Sequence, residues 1–185
     1  MVRIFIGFFA SKSIQEYVEK IREQADDFIK GKWVEPQNYH MTFHFIGEVP
    51  EEKIMDIIKA VQEVSQRHKA IKVKYRSLGV FPDLDRARVL WIGVAEGEDE
   101  LRNLAKDIYH TNRKLGIKSD SKPFHSHVTI CRIKEYDKKK LKALLRKYEN
   151  TSFGEDTVDS ISVIRSSLTS VGPIYSVLEE FYLNA

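Results

Sequence analysis

Two short stretches decide how this chain folds: His40-Met41-Thr42-Phe43-His44-Phe45 and His127-Val128-Thr129-Ile130-Cys131-Arg132. Both open as His-apolar-Thr-apolar. Their histidines stand 87 residues apart in a chain of 185, close to half its length. Aromatic and β-branched residues dominate both stretches, so each is expected to be a strand. Along a strand, side chains alternate between the two faces. Alternation puts His40, Thr42 and His44 on one face and Met41, Phe43 and Phe45 on the other. In the second stretch His127 and Thr129 share a face with His125 and Cys131, while Val128 and Ile130 take the opposite one and Arg132 points away from His127. Each strand thus has an oily side for a core and a His/Thr side that needs a polar partner.

The segments around the two motifs correspond. Val2 to Ala10 reads as a strand. Ile14, Tyr17, Val18, Ile21, Ala25, Phe28 and Ile29 recur at spacings of three and four, which predicts a helix. The first motif strand follows over Met41–Ile46, and then a helix through Ile54, Ile57, Ile58, Val61 and Val64. Lys72–Val80 and Val89–Ala95 read as strands separated by the turn signal Phe81-Pro82-Asp83. A third helix carries Leu101, Leu104, Ala105, Ile108 and Leu115. The second motif strand spans Val128–Ile133, and Leu141, Leu144, Leu145 and Tyr148 mark a fourth helix. Two strands close the chain, over Val158–Ile164 and Ile174–Leu183. Strand, helix, motif strand, helix occurs twice, the mark of two similar lobes. Mixed helices and adjacent strand pairs make an α+β domain with antiparallel sheet.

Composition removes several classes. No run of 18 apolar residues exists, so no membrane helix is expected. Arg3 and the short apolar start resemble a signal peptide, but no cleavage site follows, and the segment is taken as a buried strand of a cytoplasmic protein. A single cysteine, Cys131, cannot form an intrachain disulfide, and mid-strand it is a poor nucleophile. His40 and His44 would form a zinc pair only on a helix, and no second His/Cys pair supplies ligands, so neither metal nor cofactor is expected. Phosphate-binding glycine loops and the serine elbow are missing as well. Net charge is only +3, although Lys118–Tyr148 holds ten Lys/Arg against three Asp/Glu. That run reads first as a solvated helix face and second as an electrostatic collar for a phosphate-bearing substrate.

Two His/Thr faces meeting across a cleft would set two imidazoles and two hydroxyls around one small anion. With an ordinary pKa near 6.5, one imidazole can be neutral and the other charged. A displacement at phosphorus asks for such a base and acid, with hydroxyls on the non-bridging oxygens.

The paired motifs resemble the two-histidine (2H) phosphoesterase superfamily, and within it the archaeal and bacterial RNA 2′,3′-cyclic phosphodiesterases, long labelled 2′-5′ RNA ligases. The resemblance runs from Arg3-Ile4-Phe5-Ile6-Gly7 through His40–Gly47, Phe81-Pro82 and Arg88–Trp91. It continues through Lys122–Arg132 and ends at Ser167–Tyr175 with Leu178. It implies that residues 1–185 form one domain of two pseudo-symmetric lobes about a central cleft, each lobe contributing one motif. It implies hydrolysis of a terminal RNA 2′,3′-cyclic phosphate to a 2′-phosphomonoester without metal. By this resemblance His40 is the proton donor and His127 the proton acceptor; the motifs themselves are too alike to divide the roles. Thr42 and Thr129 match the threonines that hold phosphate, and Arg132 matches an arginine contacting phosphate or ribose. The expected partners are RNA 3′ ends or small 2′,3′-cyclic nucleotides, and the default assembly is a monomer. Two other readings stand: a 2′-5′ ligase joining RNA (tRNA) halves at the same site, and a non-catalytic module that binds RNA ends or nucleotides. His44 and His125 depart from the family pattern, either as cleft residues or as structural ones.

Overall fold

The computed structural model describes residues 1–119 and 122–185. The opening apolar run forms β1 (Val2–Phe9), in which Arg3 alone is exposed. A strand so apolar must be covered on both faces, and β1 lies inside a sheet. After it come α1 (Gln15–Ala25), β2 (Ile29–Trp33), β3 (His40–Val49), α2 (Ile54–Ser65), β4 (Ile71–Phe81), β5 (Val89–Glu96) and α3 (Glu98–Lys114). The chain then forms β6 (His127–Tyr136), α4 (Lys138–Lys147), β7 (Ser152–Val158), β8 (Ser160–Thr169) and β9 (Gly172–Tyr182). The strands make two antiparallel sheets, one ordered β3-β1-β8-β9 and the other β2-β6-β5-β4-β7. Each sheet carries one motif strand. The fold is the expected two-lobed α+β arrangement.

The orders β3-β1-β8 and β6-β5-β4 are equivalent, and the chain reaches them by exchange. The first half supplies β1 and β3 to the four-stranded sheet, then sends β4 to pair with β5. The second half supplies β5 and β6 to the five-stranded sheet, then returns β8 to pair with β1. Helices are exchanged as well. Tyr17 of α1 packs edge-on against Phe153 of β7, centroids 5.4 Å apart, whereas α3 packs on α2 and β3. Lobes and halves of the chain therefore do not coincide.

Three element boundaries differ from those expected. The first helix stops at Ala25, and Ile29 begins β2, an edge strand in which Ile29 alone is buried. With one core position, β2 has no alternation to read. The expected strand over Val158–Ile164 is the junction of two: β7 ends at Val158 and β8 starts at Ser160. Leu115 lies just past α3 and is 41% exposed. Among the described residues no helix is long and apolar enough to cross a membrane. The α4 part of the basic run is the solvated face its composition first suggested: Lys138 pairs with Asp85 and Lys140 with Asp27 on the outside of α4. Asp137 caps that helix through the Lys140 N–H.

Cys131 is completely buried within β6, and burial pushes its thiol up to about 12. The thiolate is the reactive form. An aromatic disulfide reagent is therefore expected to leave the native chain unlabelled and to titrate one thiol after unfolding in guanidinium. Rapid labelling of the native state would show that β6 opens.

Candidate active site

Strict alternation fails in both motif strands, and at the same place. On β3, Thr42 pairs with Gly7 of β1 and His44 with the preceding Ile6, which leaves Phe43 as an extra residue. On β6, Thr129 pairs with Trp91 of β5 and Cys131 with Leu90, which leaves Ile130 as the extra residue. An added residue in one strand of an antiparallel pair is a β-bulge, and it reverses which face the following side chains take. Phe43 and His44 are consequently both buried, as are Ile130 and Cys131. Phe45 and Arg132 then return to the exposed side.

Four readings from alternation are corrected by this reversal. Phe45, expected on the core side with Met41 and Phe43, is 46% exposed. His44 does not share the face of His40 and Thr42, and Cys131 does not share that of His127 and Thr129. Arg132, expected to point away from His127, is restored to the side of His127 and Thr129. Its guanidinium is close enough to disfavour the charged form of His40 on β3 and to favour that of Tyr175 on β9.

His40 and His127 are held alike. Each ring approaches the backbone carbonyl two residues earlier through Nδ1, His40 that of Asn38 and His127 that of His125, both at 2.7 Å. A carbonyl only accepts, so Nδ1 carries the proton and Nε2 is the nitrogen left for a ligand. Each ring also sits in an aromatic cage. Phe5 and Tyr175 lie 5.0 and 5.2 Å from His40, with Phe9 at 6.2 Å. Phe81, His125 and Trp91 lie 5.0, 5.7 and 6.1 Å from His127. The indole of Trp91 lies on Gly79, where a Cβ would come within 2.1 Å of the ring. Glycine there is what lets Trp91 stand beside His127.

Burial is the main cause that holds both imidazoles below their ordinary value. For His40 the Asn38 carbonyl opposes it and Arg132 adds to it. For His127 the His125 carbonyl opposes it, while His125 and His40 add to it. The last influence runs between the two sheets. Where β3 and β6 touch, the structure therefore brings His40, His127 and Arg132 into one electrostatic neighbourhood, with Thr42 and Thr129 half-buried on the same strands. A cleft of about 800 Å³ has Thr42, His44, His125 and His127 in its walls; His40, Thr129 and Arg132 lie beside it and are not part of its lining.

His44 and His125 take different roles. His125 is exposed and packs at a tilt against Trp91, centroids 4.8 Å apart. His44 is 6% exposed. Its Nδ1 accepts from the Asn112 amide at 2.9 Å, and its Nε2–H donates to Ser119. It ties β3 to the end of α3. The aromatic cages, above all Tyr175 with Phe5 and Phe81 with Trp91, are the site residues that sequence reasoning did not find. Phe81, Trp91 and Tyr175 stood in recognisable blocks, but nothing in their spacing assigned them to the histidines.

Two antiparallel sheets that bring matching His-x-Thr strands together where β3 meets β6 define a two-histidine phosphoesterase. The chain belongs to the LigT-like phosphoesterase family: the family model matches it twice, over residues 9–91 and again over 92–175. It is 56% identical over 184 residues to the RNA 2′,3′-cyclic phosphodiesterase of Aquifex aeolicus, covering 99% of this chain and 98% of that one. It is 38% identical over 180 residues to the protein of that name from Archaeoglobus fulgidus, covering 97% and 99%. The crystal structure of TT0787 of Thermus thermophilus superposes with a TM-score of 0.82 at 26% identity, covering 98% and 97%.

Burial holds His44 at about 4, among the neutral groups Tyr109, Asn112 and Ser119. The unfolded chain protonates this histidine below about 6.5, and the folded chain does so only near 4. Folding stability must then fall as pH drops through that window and level off beneath it, by roughly 3 kcal/mol for this one group. Urea melts at pH 7.5, 6, 5 and 4 should show a shallower decline for His44→Gln than for the parent. Parallel declines would remove His44 from the account.

Proposed function

We propose that the chain hydrolyses the terminal 2′,3′-cyclic phosphate of RNA to a 2′-phosphomonoester by acid–base catalysis between His127 and His40. The observation that carries this reading is the matched anchoring of the two imidazoles. Each gives its Nδ1 proton to a backbone carbonyl and keeps Nε2 for the substrate. In the reaction His127 Nε2 takes a proton from water as the water oxygen bonds to phosphorus. The bond from phosphorus to the 3′-oxygen breaks, and that oxygen leaves with a proton from His40 Nε2. The ring opens, the phosphate stays on the 2′-oxygen, and the two histidines have exchanged protonation states.

The division of roles follows the family resemblance, since the two rings are held alike. Thr42 and Thr129 hydroxyls donate to the non-bridging oxygens, where charge gathers in the transition state, and Arg132 supplies a fixed positive charge on the same side. The names of the relatives in Aquifex aeolicus and Archaeoglobus fulgidus, matched over nearly the whole chain, support the same substrate class.

Each proton transfer of this kind contributes on the order of 10²–10⁴-fold. Incubation in EDTA with an oligoribonucleotide ending in a 2′,3′-cyclic phosphate should yield a 2′-phosphate. His40→Ala and His127→Ala should each lose most of that activity. A phosphodiester with an aryl leaving group, which departs without a proton, should restore His40→Ala more than His127→Ala. Restoration of His127→Ala instead would exchange the roles. A chain that binds the oligonucleotide but turns nothing over would be an RNA-end-binding module.

The pH profile follows from the two lowered imidazoles. For kcat/KM the acid limb marks the base becoming neutral and the alkaline limb marks the acid losing its proton, both in the free enzyme. Both limbs should therefore lie on the acid side of 6.5. A bound phosphodiester anion favours imidazolium, so the kcat profile should sit at higher pH than that of kcat/KM. Coincident profiles centred above neutrality would contradict the proposed pair.

A further inference from the structure

The cleft that has Thr42 and His127 in its walls extends well beyond them. From Thr42 and His127 it continues along α3, and its volume of about 800 Å³ falls in the upper part of the usual range for ligand sites, about 300–1,000 Å³. The floor is aromatic. Buried Phe43 supports the ring of Phe124 at 6.1 Å, and Phe45, Phe81 and Tyr109 extend the surface. Phe45 is 46% exposed, with the Arg3 guanidinium 5.0 Å above its ring.

The rim is cationic. Arg102 and Lys106 stand one turn apart on α3, and Lys122 comes from the segment that leads into β6; among the described residues no Asp or Glu lines the groove. Arg102 shares its charge with Glu98 and Asp99, at 2.8 and 3.4 Å. Lys106 and Lys122 are thus the charges best placed to meet a ligand. Below them His44 is held neutral by burial at about 4, so the floor stays apolar across the working pH range.

Opening a cyclic phosphate needs none of this surface, because the reacting atoms belong to one phosphate and one ribose. Aromatic faces beside spaced cations are how proteins hold single-stranded nucleic acid without reading its sequence: bases stack and phosphates meet the cations. An RNA whose 3′-terminal phosphate sits between the histidines can leave the site only in its 5′ direction. The groove that begins at Thr42 and His127 is continuous with that path. We infer that the α3 groove binds the nucleotides immediately 5′ of the cyclic-phosphate end. The chain is then an enzyme of oligoribonucleotide ends, acting less efficiently on 2′,3′-cyclic mononucleotides. This rests on the hydrolytic reading above and adds to it a second subsite, for the nucleotides 5′ of the reacting phosphate.

The test compares two substrates, an oligoribonucleotide with a 2′,3′-cyclic phosphate end and 2′,3′-cyclic AMP, in the parent, in Lys106→Ala/Lys122→Ala and in Phe124→Ala. On the oligonucleotide KM should rise about tenfold or more in either variant, from the stacking and charge lost, with kcat unchanged. Turnover of the mononucleotide should not move. The salt dependence of oligonucleotide binding should flatten in the double variant by about 0.7 per cation removed. Equal losses on both substrates, or no loss on the oligonucleotide, would overturn the assignment. So would a dimer in sedimentation that Phe124→Ala disperses, which would give the groove to a second copy of the chain. If the parent turned over neither substrate, the hydrolytic reading would fall by itself. Fluorescence anisotropy with a labelled oligonucleotide ending in a 2′-phosphate would still decide the groove, since retained affinity in the double variant would refute it.

Discussion

Each motif strand has to serve two masters, a core that wants an unbroken apolar face and a cleft that wants His and Thr in fixed places. One extra residue, Phe43 in β3 and Ile130 in β6, resolves the conflict. Before the bulge the strand offers His and Thr to the cleft. At the bulge it sinks two successive side chains into the core. Beyond it the next residue is returned to the exposed side. A register slip of one residue in an ordinary strand would move every side chain to the wrong face. A bulge makes that move locally and keeps the rest of the ladder paired. The position of Arg132, the burial of Cys131 and the retreat of His44 all follow from it.

This is also where sequence reading reached its limit. The placement of His40, Thr42, His127 and Thr129 was legible, because two residues of alternation suffice to put a His and the following Thr on one face. Met41 and Val128 were legible as core for the same reason, and both are completely buried. Nothing local marks Phe43 or Ile130 as extra: the bulge exists only relative to β1 and β5, and pairing partners are not written in the strand itself. β2 and β7 were missed for a related reason. Ile-Lys-Gly-Lys-Trp places a single residue in the core, and Ser-Phe-Gly-Glu-Asp-Thr-Val is polar between its two buried ends. Edge strands of this kind are specified by neighbours, not by periodicity.

The electrostatics of the pair follow from where it is kept. Aromatic cages partly bury both imidazoles, and that burial weighs against the charged form of each. The carbonyls of Asn38 and His125 work the other way, since an imidazolium would strengthen either hydrogen bond. The result is two rings that both lean toward the neutral form, with the preferred tautomer set by the carbonyls. In the proposed reaction an incoming phosphodiester anion would bring the missing charge, and with it the reason for one ring to accept a proton. Under the proposed reaction Arg132 would draw the anion in, although its charge opposes protonation of His40. Phosphate bound between them would cancel that opposition, so the site is best balanced when filled.

Exchange of elements between the halves of the chain explains why the two sheets hold their relation. Were each half a self-contained lobe, the contact of β3 with β6 that brings His40 near His127 would open about a single linker, and small domain interfaces of that kind move by default. Here β4 is anchored in the sheet of β5, β8 in the sheet of β1, and α3 packs on the lobe opposite the one its own strands build. Separating the lobes would mean breaking sheet pairing rather than bending a hinge. The same exchange sets α3 beside β3, where its Arg102, Lys106 and Tyr109 wall the groove that starts at Thr42. A helix from the second half thus extends the binding surface of the first motif. The spacing of two general catalysts across a cleft must hold to a fraction of an ångström to be useful, and a chain that crosses between lobes several times is a direct way to fix it.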